Sequence, residues 1–151
     1  MKPPPSKDSL SPQERRERYR ENQNYFSEKL SEVTRYVGFG LVAFAFSLLS
    51  DEMAFAKKLS DAAVSLVAIA GLCGCLVVLS DFLHLMLGWK SNELAAGNKQ
   101  GDYAMPPAGK RLRAAQTMFF YLKQGLAAAG SLLLIGALAS AISIGPLLPD
   151  G

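Results

Sequence analysis

The 151-residue sequence has few of the residues that enzymes use for chemistry, since it contains one histidine and two cysteines. Cys73 and Cys75 both lie inside an apolar run, so they say nothing about the redox compartment. Their i, i+2 spacing places them on different faces of a helix, which argues against a shared metal ion. The sequence also lacks a nucleophile beside a base and a glycine-rich phosphate loop. It therefore predicts a protein without catalysis, metal or cofactor.

Charge is missing from long stretches of the chain. Residues 62–80 and 124–149 contain no charged side chain, although half of all residues are hydrophobic. Because about 20 helical residues cross a hydrocarbon core of about 30 Å, such runs are typical of membrane spans. The predicted fold class is an all-α integral membrane protein with three transmembrane helices, the first continuous with a long charged N-terminal helix.

The charged residues that are present do not indicate a nucleic-acid partner. The 16 Lys and Arg are interleaved with 13 Asp and Glu, which gives a net charge of only +3. No basic stripe with interleaved aromatic residues is present. No secretory cleavage pattern or lipidation motif is visible either, so we expect the first span to be retained and the lipid bilayer to be the main partner.

Composition divides the chain into segments. Residues 1–10 contain consecutive prolines and are predicted to be a disordered tail. A charged amphipathic helix is predicted for 11–35, where Ser11, Pro12 and Glu14 form a capping box with proline at the first helical position. The remaining predicted segments are TM1 at 33–56, TM2 at 62–88, a cytoplasmic loop at 90–109, a cationic amphipathic helix at 110–123 and TM3 at 124–148.

The first apolar run is short for a membrane span. The 15 residues of 36–50 precede two acidic residues, and at 1.5 Å per residue they advance about 22 Å. A full span requires the helix to extend over 33–56, with the side chain of Arg35 reaching the headgroups. The alternative is a re-entrant segment. We favour the full span because Lys57, Lys58 and Asp61 supply a polar turn before TM2.

The distribution of Lys and Arg predicts the orientation. Eight lie at or before Arg35, two lie in the loop 51–61, and five lie in 90–113. With three spans, both rich segments share one side, which the positive-inside rule assigns to the cytoplasm. We expect a bacterial inner (plasma) membrane protein with a cytoplasmic N-terminus and an external C-terminus.

Three ionisable residues are candidates for a site in or near the spans. Asp81 and His84 are three residues apart and share a helix face, and Lys123 is the last charge before TM3. An ionisable residue inside a span is a functional hypothesis, for example a proton relay or an ion site. The alternative, which we favour, is a structural role near the cytoplasmic end, in which Asp81 and His84 pair with each other or meet water and headgroups.

Two patterns predict self-association. The charged helix carries a seam at near-heptad spacing, which is typical of a parallel coiled coil between copies; packing on helix 110–123 of the same chain remains an equal alternative. Small residues at four-residue spacing let membrane helices approach closely. They serve either packing within the chain or, as we favour, self-association. The candidate residues are Phe26, Leu30, Val33 and Val37 for the seam, and Gly71, Gly74, Gly125 and Gly136 for the spans.

These observations together favour a small, non-enzymatic, polytopic membrane protein that forms homo-oligomers. In the preferred interpretation it is a membrane effector or pore component, with Asp81, His84 and Lys123 beside a water path. The alternative is a membrane anchor or accessory subunit whose cytoplasmic helices dock a soluble or membrane protein partner. A further alternative is a haem-binding redox subunit, in which His84 is one axial ligand and a partner supplies the other.

Overall fold

A computed structural model gives the fold and describes residues 11–50, 61–98 and 104–143. Its helices are α1 (Pro12–Leu49), α2 (Asp61–Gly97) and α3 (Pro107–Ser143). All three are long and apolar enough to cross a membrane. The all-helical class with three such helices is therefore confirmed for these residues. The predicted tail 1–10 and the ends of TM1 and TM3, at 51–56 and 144–148, lie outside the described residues.

Helix α1 begins with the predicted capping box. The backbone N–H of Ser11 donates to Glu14 Oε2 at 2.8 Å, and the N–H of Glu14 donates to Ser11 Oγ at 3.3 Å. These bonds satisfy N–H groups that have no partner inside the helix, and Pro12 at the first helical position has no N–H to satisfy. From there α1 runs without interruption to Leu49.

The chain forms two compact units, Met1–Val33 and Thr34–Gly151. In the first unit, α1 carries a Lys29–Glu32 ion pair at 2.8 Å, one helical turn apart. The rings of Tyr25 and Phe26 meet edge to face, with their centroids 5.6 Å apart. The second unit contains the remainder of α1 together with α2 and α3, and the packing described below belongs to it.

Helix α2 is longer than predicted for TM2. It continues beyond residue 88 to Gly97, because Glu93 and the following Leu and Ala residues are strong helix formers. Lys90 and Glu93 add an ion pair at 2.8 Å. The loop prediction for 90–109 was therefore wrong at both ends, since helix occupies 90–97 and resumes at Pro107.

Helix α3 joins two predicted segments into one. Pro107 occupies the first helical position, where its fixed backbone angle suits a helix start. The N–H of Lys110 then donates to the carbonyl of Pro106 at 3.0 Å. The predicted cationic helix 110–123 and the described part of TM3 form one continuous α3, which ends at Ser143.

Helices α2 and α3 form an antiparallel hairpin. At one end, the buried Ser91 hydroxyl donates to the carbonyl of Gly109 at 3.0 Å. At the other end lies an apolar cluster to which α1 also contributes. Its buried members are Ala45, Leu48, Ala63, Val67 and Ala137.

Glycines bring the helices of the second unit close together. A Cβ added at Gly74 would lie 2.7 Å from the carbonyl oxygen of Gly38, so the backbones of α1 and α2 nearly touch. A Cβ at Gly71 would lie 2.6 Å from the Cβ of Ala45. At Gly130 it would lie 2.7 Å from Leu41 Cδ1 and 3.0 Å from Cys73 Cβ, which places all three helices in contact at this level.

Candidate functional site

One charged side chain from each helix meets in the second unit. Arg35 comes from α1, Asp81 from α2 and Lys123 from α3. Successive helices run in opposite directions. The beginnings of the apolar stretches in α1 and α3, where Arg35 and Lys123 lie, are therefore next to the end of the apolar stretch in α2, where Asp81 lies. We refer to Arg35, Asp81 and Lys123 as the charge triad.

Asp81 is the centre of the charge triad. Its Oδ2 accepts from Arg35 Nε at 2.6 Å, and its Oδ1 accepts from Lys123 Nζ at 2.5 Å. The Lys123 side chain has 0% exposed surface and that of Asp81 6%, whereas that of Arg35 is 41% exposed. The arrangement is therefore a buried Lys–Asp pair with an arginine that reaches from the pair to the surface.

Burial makes this pairing necessary. A lysine ammonium without a counter-charge in a low-dielectric interior costs several kcal/mol or more. The two carboxylate oxygens of Asp81 each receive one cationic donor, which is the short, charge-assisted type of hydrogen bond. Lys123 Nζ also lies 5.5 Å from the centroid of the Phe120 ring, where the ring face attracts a cation. The charge triad thus holds all three helices at one level.

His84 lies one turn beyond Asp81 on α2 but has different partners. Its Nδ1 is 3.0 Å from the backbone carbonyl of Gln116. Since a carbonyl only accepts, Nδ1 carries the proton. The ring also lies 5.7 Å from that of Phe120. Phe120 therefore contacts both the charge triad and His84.

The two alternatives for Asp81 and His84 were pairing with each other and contact with water and headgroups, and the structure gives each residue a partner on another helix. Asp81 pairs with Arg35 and Lys123, and His84 bonds to Gln116. The guanidinium and the ammonium each give the carboxylate a short, charge-assisted hydrogen bond. Asp81 and Lys123, which the sequence singled out separately, belong to one cluster.

The glycines predicted for self-association occupy two kinds of environment. Gly71 and Gly74 are buried against α1 of the same chain, as the close approaches to Ala45 and Gly38 show. Gly125 and Gly136 are exposed on α3, and a Cβ added at either would have nothing within 4 Å among the described residues.

The seam residues are mostly exposed. Phe26, Leu30 and Val33 show 67%, 45% and 56% of their surfaces, and Val37 is half-buried. A large aromatic or aliphatic side chain left exposed on a highly charged helix is the type of surface that a partner helix covers.

Sequence reasoning did not predict that Arg35 would meet Asp81 and Lys123. A signal was available, because Arg35, Asp81 and Lys123 lie within or next to the ends of the predicted spans that the up-down-up topology places on the same side. Gly38 and Gly130 were also missed as close-packing positions. Their contacts depend on which helix faces meet, which spacing along one helix does not determine.

The described residues offer little for a metal or cofactor. Within 11–50, 61–98 and 104–143, no group of three His, Cys, Asp or Glu side chains is placed to hold a metal ion. Cys73 and Cys75 are both thiols there. Comparisons with protein-family models, with curated proteins and with solved structures found no match to this chain.

Proposed function

We propose that the chain is a non-enzymatic integral membrane protein whose second unit is embedded in the bilayer. The support is the distribution of polarity. The large exposed side chains of α2 are apolar from Val64 to Trp89, while Asp81 and Lys123 are buried. A helix bundle in lipid presents apolar side chains outward and pairs its charges inside. A soluble bundle would instead cover such an apolar surface.

The charge triad would then lie near one boundary of the hydrocarbon core. Residues 61–81 of α2 and 123–143 of α3 each advance about 30 Å, which is the thickness of that core. Trp89 and Lys90, an aromatic and a cation, follow at headgroup depth. This end carries the Lys- and Arg-rich segments, so we propose that it faces the cytoplasm of a bacterial inner membrane and that the C-terminus lies outside.

The function that the geometry supports best is that of a self-associating membrane anchor. The observation that carries it is the exposed seam of Phe26, Leu30 and Val33 on the charged part of α1. A second copy of the same helix offers both apolar side chains for this seam and complementary charges around it. In this proposal the charge triad has a structural role: it holds the three helices together, because each oxygen of Asp81 is bonded to a cation from another helix.

Co-purification of two tagged copies tests the anchor proposal. Copies with different tags, expressed together, are expected to purify as one complex from detergent. Phe26→Ala/Leu30→Ala should reduce the recovery of the second copy several-fold. Glu21→Ala/Glu28→Ala is the matched control, since both glutamates are exposed on the opposite side of α1. The proposal fails if wild-type copies do not co-purify, or if the control loses as much as the seam variant.

A second candidate function is a membrane effector or pore component. The specific observation that favours it is the presence of charged groups within the apolar stretches, because such groups mark ion and proton pathways. Conduction would require the charge triad to separate. Overexpression should then depolarise the membrane, and Asp81→Ala or His84→Ala should change the effect. Cells that keep their membrane potential at high expression would exclude this function.

The anchor proposal also extends to a soluble partner. Such a partner would dock on the exposed N-terminal part of α1 and be lost from pull-downs when residues 12–35 are deleted. Recovery of the protein alone in the wild-type pull-down would leave self-association as the only role of this helix.

A further inference from the structure

Among the residues that the structure describes, the guanidinium of Arg35 finds a partner for one of its three nitrogens. Nε donates to Asp81 Oδ2 at 2.6 Å. The two Nη nitrogens, which carry four of the five N–H donors of an arginine, make no hydrogen bond to any residue that the structure describes. Arginine stays protonated at all physiological pH values, so these donors and their charge persist.

The charge triad also has more positive than negative charge. One carboxylate, Asp81, serves both Arg35 and Lys123. Helix α3 contains no Asp or Glu, and Glu93 of α2 is paired with Lys90. Two cations and one carboxylate therefore leave the charge triad itself with a net charge of +1.

The position of Arg35 indicates which kind of anion can reach its open nitrogens. Its side chain is 41% exposed while its partners are buried, so the open nitrogens lie at the outer surface of the second unit. If that unit is embedded as proposed above, this surface faces lipid near the headgroups of the Lys- and Arg-rich side. The cytoplasmic leaflet holds anionic phospholipids, and basic sites between spans bind their headgroups.

We propose that Arg35 binds the phosphate of an anionic phospholipid through its two Nη nitrogens while Nε remains bonded to Asp81. A guanidinium fork matches two oxygens of a phosphate group. The same arginine then links the lipid to the charge triad, and the lipid phosphate adds a negative charge beside its two cations. This proposal rests on the membrane insertion proposed above.

Binding of short-chain lipids to the purified full-length protein tests the site. The probes are dioctanoyl phosphatidylglycerol, dioctanoyl phosphatidylcholine and inorganic phosphate, each titrated calorimetrically in a non-ionic detergent. We expect one saturable site for phosphatidylglycerol per chain. Arg35→Gln should weaken it by about tenfold or more, as loss of hydrogen bonds to a charged group implies. Arg113→Gln, which removes an exposed arginine of α3, should weaken it less than about twofold.

Three results would overturn the lipid assignment. The first is an equal affinity for phosphatidylglycerol and phosphatidylcholine. The second is an equal loss of phosphatidylglycerol affinity in Arg113→Gln and Arg35→Gln. The third is inorganic phosphate that binds as tightly as phosphatidylglycerol. The last result would identify a site for free phosphate. Arg35→Lys is a second variant that keeps a cation beside Asp81 but removes the fork, so it tests the site even if Arg35→Gln does not fold. Unchanged affinity in Arg35→Lys would also contradict the proposal.

Extraction of membranes with alkaline carbonate separates this inference from the proposed function. A chain that remains in the membrane pellet but does not distinguish the two lipids overturns the lipid site alone. A chain that carbonate releases overturns the membrane insertion and the lipid site together.

Discussion

Lys123 Nζ lies 2.5 Å from Asp81 Oδ1, and the Lys123 side chain has no exposed surface. This pair joins α2 to α3, and Arg35 adds α1 through the other oxygen of the same carboxylate. A buried ion pair adds little stability compared with a well-packed apolar pair, but loss of one partner leaves a buried charge without compensation. The charge triad therefore fixes which helix faces meet, and its disruption should be costly.

Asp81→Asn is expected to destabilise the protein most among single changes in the charge triad. It removes the negative charge that faces two cations and replaces one acceptor oxygen with an NH2 donor, which should cost about 3–5 kcal/mol of unfolding free energy. Lys123→Met should cost less because Asp81 keeps Arg35. Unfolding in detergent, followed by circular dichroism, measures the difference. Glu93→Gln breaks an exposed pair with Lys90 and should cost less than about 1 kcal/mol. An equal loss of unfolding free energy in Asp81→Asn and Glu93→Gln would show that the charge triad does not hold the helices together.

Gly74→Ala should destabilise the contact between α1 and α2. The new Cβ would lie 2.7 Å from the Gly38 carbonyl oxygen, and backbone atoms cannot move aside as a side chain can. Such overpacking costs about 1–3 kcal/mol. Gly40→Ala, on α1, is the matched control because nothing described lies within 4 Å of its Cβ; it should stabilise α1 by about 0.5–1 kcal/mol. Thermal unfolding compares the two variants, and a stable Gly74→Ala variant would contradict the close approach.

Ser91→Ala should loosen the end of the α2–α3 hairpin. It removes a buried hydrogen bond of 3.0 Å from the hydroxyl to the Gly109 carbonyl, which should cost about 1 kcal/mol. Hydrogen exchange of the amides in 91–97 should become faster. Asn92→Ala, at the exposed neighbouring position, should leave the exchange unchanged. Identical exchange in the wild type and Ser91→Ala would show that α2 does not depend on this bond beyond residue 90.

The capping box of α1 predicts a pH dependence at acid pH. The backbone N–H of Ser11, followed by its hydroxyl, lowers the pKa of Glu14 below its usual value, and Arg18 adds to the shift. A lowered folded-state pKa means that the stabilisation is complete above the unfolded pKa and is lost as the pH falls through the folded pKa. NMR titration of the Glu14 carboxyl should therefore show the lowered pKa, and Ser11→Ala should raise it toward the usual value. The rise should be partial because alanine keeps the backbone N–H, which is the largest cause of the shift. A Glu14 pKa at the usual value in the wild type would show that the capping bonds are absent.

The positions of the helices could be predicted from the sequence more accurately than the contacts between them. The uncharged runs predicted helices long enough to span a membrane, since length and polarity are properties of a single segment. The end of α2 was misjudged because glycines and prolines between 97 and 109 suggested a longer loop than the helix formers around Glu93 permit. The partners of Asp81 were missed because a neighbour on the same helix, His84, is visible in sequence, whereas Arg35 and Lys123 are brought near only by packing.

The mass of the protein in lipid nanodiscs is the most direct test of the proposed self-associating anchor. The wild-type protein is expected to have the mass of a defined oligomer. Phe26→Ser/Leu30→Ser/Val33→Ser should reduce it to monomers while helix content is retained, and Glu21→Ala/Glu28→Ala should leave the oligomer intact. A monomeric wild-type protein, or a triple variant with the same oligomer mass as the wild type, would show that the seam does not hold copies of the chain together.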